Sequence, residues 1–352
     1  MEMKTSRKTR MAAVLLAGAA LPTVAAAQDL TFTEAERTPL ACDRQLTVED
    51  LANWEVPAAN EPYTIAISVP SFANPYIQSL IYGAELAAAE AGVTLTVGAG
   101  RGFMDPASQI TQFENAMMRS PDAFLINPAD PAGLALTIDD AVAAGVPVVE
   151  VGTLSMAETS LKVVQDDYSQ GVTAAEALAE MLPEGGQGIV MGGPANASWS
   201  RGRVAGFLDA VEGSESLTVS AVVSTDIDPQ EGLTRFSNAA QANPQVDWIY
   251  AVGSFLLAPQ SIPEEYAGAT YLGGTLTAVT LEALETGGAD GILPDFPISV
   301  GYVGLSLAVD ALNGGENAQV NCIPNAVMGA DDLADSVWVD SSILPEDWQV
   351  PE

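Results

Sequence analysis

From residue 63 onward, short apolar runs alternate with longer stretches whose apolar positions recur every three or four residues. Runs of that kind predict strands, and the longer period predicts helices. Strands are expected at residues 63–69, 93–97, 123–126 and 146–151. Helices are expected at 76–91, through Ile110, Phe113 and Met117, and at 132–144. Gly92 and Gly145 each stand where a helix should close before a strand. The rhythm then restarts, with strands at 161–164, 188–191, 217–223, 248–252, 270–272 and 292–293. Helices at 169–182, 201–211, 230–241, 278–284 and 301–312 fall between or after them. Strand–helix alternation implies βαβ units and parallel sheets, so the fold class is α/β with two similar doubly wound lobes, 63–152 and 161–293.

Two such lobes leave a cleft outside the carboxyl ends of their strands, where open α/β sheets bind ligands. The segments placed there are residues 71–76, 152–153, 166–167, 195–201, 253–254 and 274–275, with Asp295. Ahead of the first lobe, residues 28–61 are polar and punctuated by proline, and read as an extended arm. Residues 1–27 read as a secretory signal peptide. Lys4, Arg7, Lys8 and Arg10 form a cationic head, an apolar run follows, and Ala25-Ala26-Ala27 supplies the cleavage site. No later stretch is apolar enough to span a bilayer. The mature chain is therefore expected to be soluble outside the cytoplasm.

The leader holds four of the 12 basic residues and, of the 46 acids, only Glu2, so its removal takes the formal charge from −34 to −37. A surface this negative repels nucleic-acid phosphates and anionic lipid, and suits a salty medium that screens self-repulsion. Histidine is absent, which removes the commonest general base, a common metal ligand and every Ser–His or Cys–His pair. Gly192-Gly193 lacks the lysine of a phosphate loop. No catalytic constellation, metal site or cofactor is expected. The only cysteines are Cys42 and Cys322. In an oxidising compartment such a pair most often forms one bridge; two separate buried thiols are the alternative.

Four segments resemble the ribose-type periplasmic binding proteins. They are VPSFANPYIQSLIYGAELAAAEAG (69–92), FLINPADPAGLALTIDDAVAAGVPVV (124–149), VVQDDYSQGVTAAEAL (163–178) and SRGRVAGFLDAV (200–211). The resemblance runs in order over residues 62–328. It implies the type I periplasmic binding protein fold, two Rossmann-like lobes joined by a multi-strand hinge. It divides the chain into lobe 1 (62–156 with 296–322), lobe 2 (157–295 with 323–335) and a tail (336–352). It further implies a monomeric periplasmic protein, not an enzyme, that captures a sugar or polyol for the permease of an ABC importer.

For the site, the resemblance puts Asn74 and Tyr76 at polar and aromatic contacts of the first lobe, with Ile77 where a second aromatic stacks on sugar. Ile227 stands where another stacking aromatic is usual. Arg201 falls on the arginine that donates to ligand hydroxyls, and Asp295 lies near the polar residue of the third hinge crossing. Asp167 and Trp199 complete the candidates beside it. Arg201 also reads as a structural ion pair with Asp167 or another acid, Asn74 as a helix cap, and Trp199 as a cap on the lobe edge. Where the family carries Asp-Arg, Asn-Asp and Phe-Asp, this chain has Gly152-Thr153, Gly253-Ser254 and Gly274-Thr275. Thr153, Ser254 and Thr275 are thus the candidates at those places, and several hydroxyl-clamping carboxylates are missing. DWIYAVGSFLLAPQSI, TYLGGTLTAVTLEALETG and Ala41-Cys42-Asp43 are also similar to a divergent branch that includes a trimethylamine N-oxide binder. That likeness implies an alternative role as accessory to a periplasmic sensor kinase, with Tyr76, Tyr168 and Trp199 as faces for a cation.

Overall fold

The structure, a computed structural model, describes residues 30–212, 214, 216–345 and 347–350. The expected signal peptide lies outside the described residues. Residues 28–61 hold more than extended chain: a helical turn at Ala35–Arg37, a short strand β1 (Arg44–Gln45) and a helix α1 (Val48–Ala52). The first lobe then runs β2 (Thr64–Val69), α2 (Pro75–Ala91), β3 (Thr94–Ala99), α3 (Pro106–Met117), β4 (Ala123–Ile126) and α4 (Ala135–Ala143). Strands β5 (Val148–Gly152) and β6 (Leu161–Val164) follow. Every residue of β4 and β5 is buried, as befits parallel strands covered by helices on both faces.

The second lobe runs α5 (Asp167–Met181), β7 (Gly186–Gly192), α6 (Ser198–Glu212), β8 (Leu217–Ser224) and α7 (Pro229–Ala242). Strand β9 (Trp248–Ala251), β10 (Thr270–Gly274), α8 (Ala278–Thr286) and β11 (Gly291–Leu293) complete it. Helix α9 (Pro297–Leu312), β12 (Val320–Cys322) and α10 (Ser336–Asp340) close the chain. Two parallel sheets result, ordered β1-β12-β6-β5-β4-β2-β3 and β11-β10-β9-β7-β8.

The strand at 161–164 was expected to open the second lobe, but it lies in the first sheet. Val163 pairs with Val151 on one side and Asn321 on the other. A four-residue apolar strand before a helix looks the same in either sheet, because pairing is a long-range property. The second lobe therefore begins at the crossing after Val164. A second crossing runs from Leu293 to Pro297, where Phe296 is fully buried at φ +47, a conformation costly for a side chain of that size. The third leaves Cys322 and meets Ile292 at Met328.

The arm fastens both lobes from outside these crossings. Asp43 N–H and Leu46 N–H donate to Val320 and Cys322 carbonyls in the first sheet. Cys42 and Cys322 are bridged, with Cα atoms 5.8 Å apart. Upstream, Leu30 and Phe32 pack on the apolar cluster of the second lobe, and Arg37 pairs with Asp209 of α6 at 2.8 Å. The tail folds back on lobe 1, where Trp348 donates to Glu85 at 2.7 Å and its ring meets Tyr82.

The bridge closes a span of 280 residues, so its loss chiefly frees the unfolded chain. Cys42→Ser should cost about 2–4 kcal/mol in denaturant unfolding. An unchanged midpoint would show that the β1–β12 pairing holds the arm without it.

Candidate ligand-binding site

The strand ends of the two lobes face each other across a narrow cavity. Lobe 1 contributes Asn74, Tyr76, Phe103, Asn127, Gly152 and Thr153, with Gln165 at the first crossing. Trp199, Arg203, Phe255 and Thr275 come from lobe 2, with Asp295 at the second crossing. Asn74 does two jobs, since its side chain also caps α2 by accepting from Tyr76 N–H at 2.9 Å. Gly152 has φ +80, and a Cβ there would overlap the Tyr76 hydroxyl, so this position stays bare to seat the phenol. The open space is about 40 Å³, room for only a few waters. That is well below the usual range for small-molecule pockets.

Arg203 organises the second lobe's wall. Its Nε donates to Asp167 at 2.9 Å, Nη1 to the Val252 carbonyl at 2.9 Å, and Nη2 lies 3.0 Å from Asp295. Asp295 also accepts from Gln170 at 3.0 Å and from the Thr275 hydroxyl. Thr275 is a non-glycine residue at φ +69, a strained backbone held where its hydroxyl meets that carboxylate. The buried set thus carries one cation and two carboxylates. Burial pushes the Asp167 carboxyl up to about 6 against the pull of Arg203, and the charge of Asp295 adds to the rise. Burial alone would weaken the charge on Arg203, but Asp295 and Asp167 outweigh it and raise its pKa. The Tyr76 phenol is raised too, first by burial and then by Asp295, so it stays a neutral donor.

Two acceptors on lining residues have no partner among the described residues: the buried Asn127 Oδ1 and Gln165 Oε1. Asn127 Nδ2 is spent on the Val151 carbonyl at 2.6 Å, and Gln165 Nε2 on Pro324 and Asn325. The lining residues therefore carry unpartnered acceptors and aromatic rings, and their guanidinium is paired with carboxylates.

Six candidates from the sequence line this cavity: Asn74, Tyr76, Thr153, Trp199, Thr275 and Asp295. Asp167 stands one step behind, on Arg203. Ser254 gives its hydroxyl to the Thr275 carbonyl at 2.7 Å and faces a neighbouring cavity. Ile77 is fully buried in the core of lobe 1, because one residue along a helix turns by 100° and only Tyr76 faces the cleft. Tyr168 reaches Asp209 rather than the cavity. Arg201 corrects the main expectation. It lies outside the cavity, pairing with Glu36 of the arm and donating to the Thr31 carbonyl at 2.7 Å. Helix α6 starts at Ser198, and two residues turn it by about 200°, so Arg201 and Arg203 take opposite faces. Phe103, Asn127, Gln165, Arg203 and Phe255 were missed. Asn127 and Gln165 directly follow β4 and β6, a position that marks them in the sequence.

Among the described residues no group of three or more acids and cysteines is gathered to hold a metal, and no helix is long and apolar enough to cross a membrane. Residues 65–316 match the family described as periplasmic binding protein domain. The ribose import binding protein of Bacillus subtilis is 29% identical over 202 residues, covering 56% of this chain and 65% of that protein. The match thus spans just under two thirds of the relative's own length. Among solved structures, a sugar ABC transport substrate-binding protein from Bordetella parapertussis superposes with a TM-score of 0.77 at 18% identity, over 85% of this chain and 99% of that one. A solute-binding protein from Actinobacillus succinogenes with bound D-allose gives 0.73 at 20%, over 77% and 99%.

The two arginines should separate cleanly. Arg203→Met strands two buried carboxylates and should cost about 3–5 kcal/mol of stability. Arg201→Ala loses a partly exposed pair and should cost about 1 kcal/mol or less. Equal losses in parallel urea titrations would contradict this assignment. Because folding raises the Asp167 pKa, the folded chain holds that proton more tightly than the unfolded chain does. Its contribution is greatest at low pH and declines as pH rises through about 6. The stability of the parent minus that of Asp167→Asn should therefore fall between about pH 4 and 6 and then level off. A flat difference would place the carboxyl in its ordinary range.

Proposed function

The chain belongs to the periplasmic binding protein domain family, and from that membership we propose that it captures a small, neutral, hydroxylated solute, a sugar or polyol, for an ABC-type importer. The observation that carries the reading is the pair of buried acceptors, Asn127 Oδ1 and Gln165 Oε1, in the cavity wall. Each unpaired acceptor costs about 1–3 kcal/mol, which a solute hydroxyl recovers by donating to it. Rings of Tyr76, Phe103, Trp199 and Phe255 supply apolar faces for the C–H side of such a molecule. An anion would find the Arg203 guanidinium already committed to Asp167, Asp295 and Val252.

Capture works by hinge closure. Asn74, Tyr76, Asn127 and Thr153 meet the solute from one side, and Trp199, Phe255 and Thr275 from the other. Contacts made only when both sides engage shift the open–closed equilibrium toward closure. No bond of the solute is broken. The mature chain acts as a monomer in the periplasm, and the closed form is what a membrane permease recognises. The name of the B. subtilis relative, a ribose import protein, and the D-allose in the A. succinogenes structure support this reading. A sensor-kinase partner has no comparable support.

Calorimetric titration with D-ribose, D-arabinose, D-allose, ribitol and their acidic oxidation products tests the proposal. One-site binding of at least one neutral member is expected, and Gln165→Ala should weaken it about tenfold. Binding restricted to the acidic members, or conversion of a bound solute without any partner protein, would overturn it.

A further inference from the structure

Beside the polar cavity lies a second one of about 400 Å³, and the two share Tyr76, Phe255 and Thr275 as walls. Its remaining lining has a different character. Pro75, Pro229, Leu276, Val279, Ile343 and Leu344 dominate it. Among the described residues, no charged side chain reaches this wall. Ser79, Ser254, Thr277 and Ser342 also line it, but a hydroxyl-rich molecule placed there would meet mostly apolar surface and shed more water than these hydroxyls replace. An alkyl or aryl group would shed water favourably.

We propose that this cavity is a subsite for an apolar substituent of the captured solute. The natural ligand is then amphiphilic: a hydroxylated head carrying an aryl or alkyl group, as in a glycoside. The proposal rests on the hydroxylated-solute reading and extends it to a class of molecule. Three observations carry it. First, Tyr76, Phe255 and Thr275 line both cavities, so the two are adjacent and a substituent on a solute held in the first is within reach of the second. Second, the volumes divide the roles: about 40 Å³ beside Asp295 against about 400 Å³ beyond Tyr76, the larger within the usual range for small-molecule pockets. Third, Ser342 lines the larger cavity, is 2% exposed, and its Oγ has no partner among the described residues, so the wall carries a spare hydroxyl for an oxygen on the substituent.

Both lobes and the tail build this wall. Helix α2 and the tail segment from Ser342 to Leu344 supply one side, and the start of α8 supplies the other. The tail is held in place by Ile298 N–H donating to the Ser341 carbonyl at 3.0 Å. An apolar group lodged between these surfaces is covered by both lobes and so adds to the drive for closure.

The test compares methyl and phenyl glycosides of a sugar that binds, in the parent, in Ala258→Phe, which fills the cavity, and in Val279→Glu, which charges its exposed rim. In the parent the phenyl glycoside should bind at least about tenfold more tightly. In both variants that advantage should vanish while the methyl glycoside keeps its affinity. Equal or weaker binding of the phenyl compound in the parent, or an advantage that survives both variants, would overturn the subsite. If no sugar or polyol binds, so that no such glycoside can be chosen, the hydroxylated-solute reading falls, and 4-fluorophenol decides the subsite separately. Broadening of its fluorine resonance by the parent but by neither variant supports it, and no broadening by the parent rejects it.

Discussion

The second lobe's half of the site depends on the placement of one buried cation. Arg203 reaches the start of α5, the end of β9 and the second crossing through Asp167, Val252 and Asp295. Taking a guanidinium out of water is tolerable only because all three acceptors meet it. That placement in turn needs α5 and α6 to touch closely. A Cβ on Gly206 would overlap the Tyr168 carbonyl, so glycine lets the helices approach until Arg203 meets Asp167. Thr275 and Gln170 then settle on the remaining lone pairs of Asp295.

The chemistry of the cavity follows from that arrangement. The arginine in the wall is paired with Asp167 and Asp295, and the buried side-chain atoms of the wall left without a partner among the described residues are acceptors, on Asn127 and Gln165. With both carboxylates ionised, the buried set of Arg203, Asp167 and Asp295 is net negative, which disfavours an acidic group placed beside it. The expected carboxylate clamps after β5, β9 and β10 are replaced by threonine and serine, and their hydroxyls are turned inward. Thr153 donates to Pro128 at 3.0 Å, Ser254 to Thr275 and Thr275 to Asp295. These positions shape the wall by holding loops.

The arm gives the molecule a second connection besides the crossings. Phe32 lies between Arg37 and Arg201, 5.5 and 5.3 Å from their guanidinium carbons, and Glu36 closes on Arg201. Burial works against the Glu36 charge, but Arg201 and Thr33 outweigh it and hold the carboxyl below its usual range. A few residues later the chain is bridged into the first sheet at Cys322. One short segment therefore grips α6 of one lobe and β12 of the other.

The elements of this fold were written locally. Apolar runs, helical periodicity, Pro75 after Asn74, and Gly92 all act over a few residues, and the helices and strands fall within a few positions of where those signals put them. The two-lobed α/β class follows from their order, and the cleft at the strand ends follows from the class. Asn74, Tyr76, Thr153, Trp199, Thr275 and Asp295 were accessible for that reason. Which sheet accepts Leu161–Val164 was not, because the pairing partner Val320–Cys322 lies about 160 residues away in sequence. Nor was the choice between Arg201 and Arg203. It turns on the residue at which α6 begins and on the acids that distant segments bring to each face, Glu36 on one side, Asp167 and Asp295 on the other. Local pattern determines where a side chain sits along its element; only the packed structure determines what it meets.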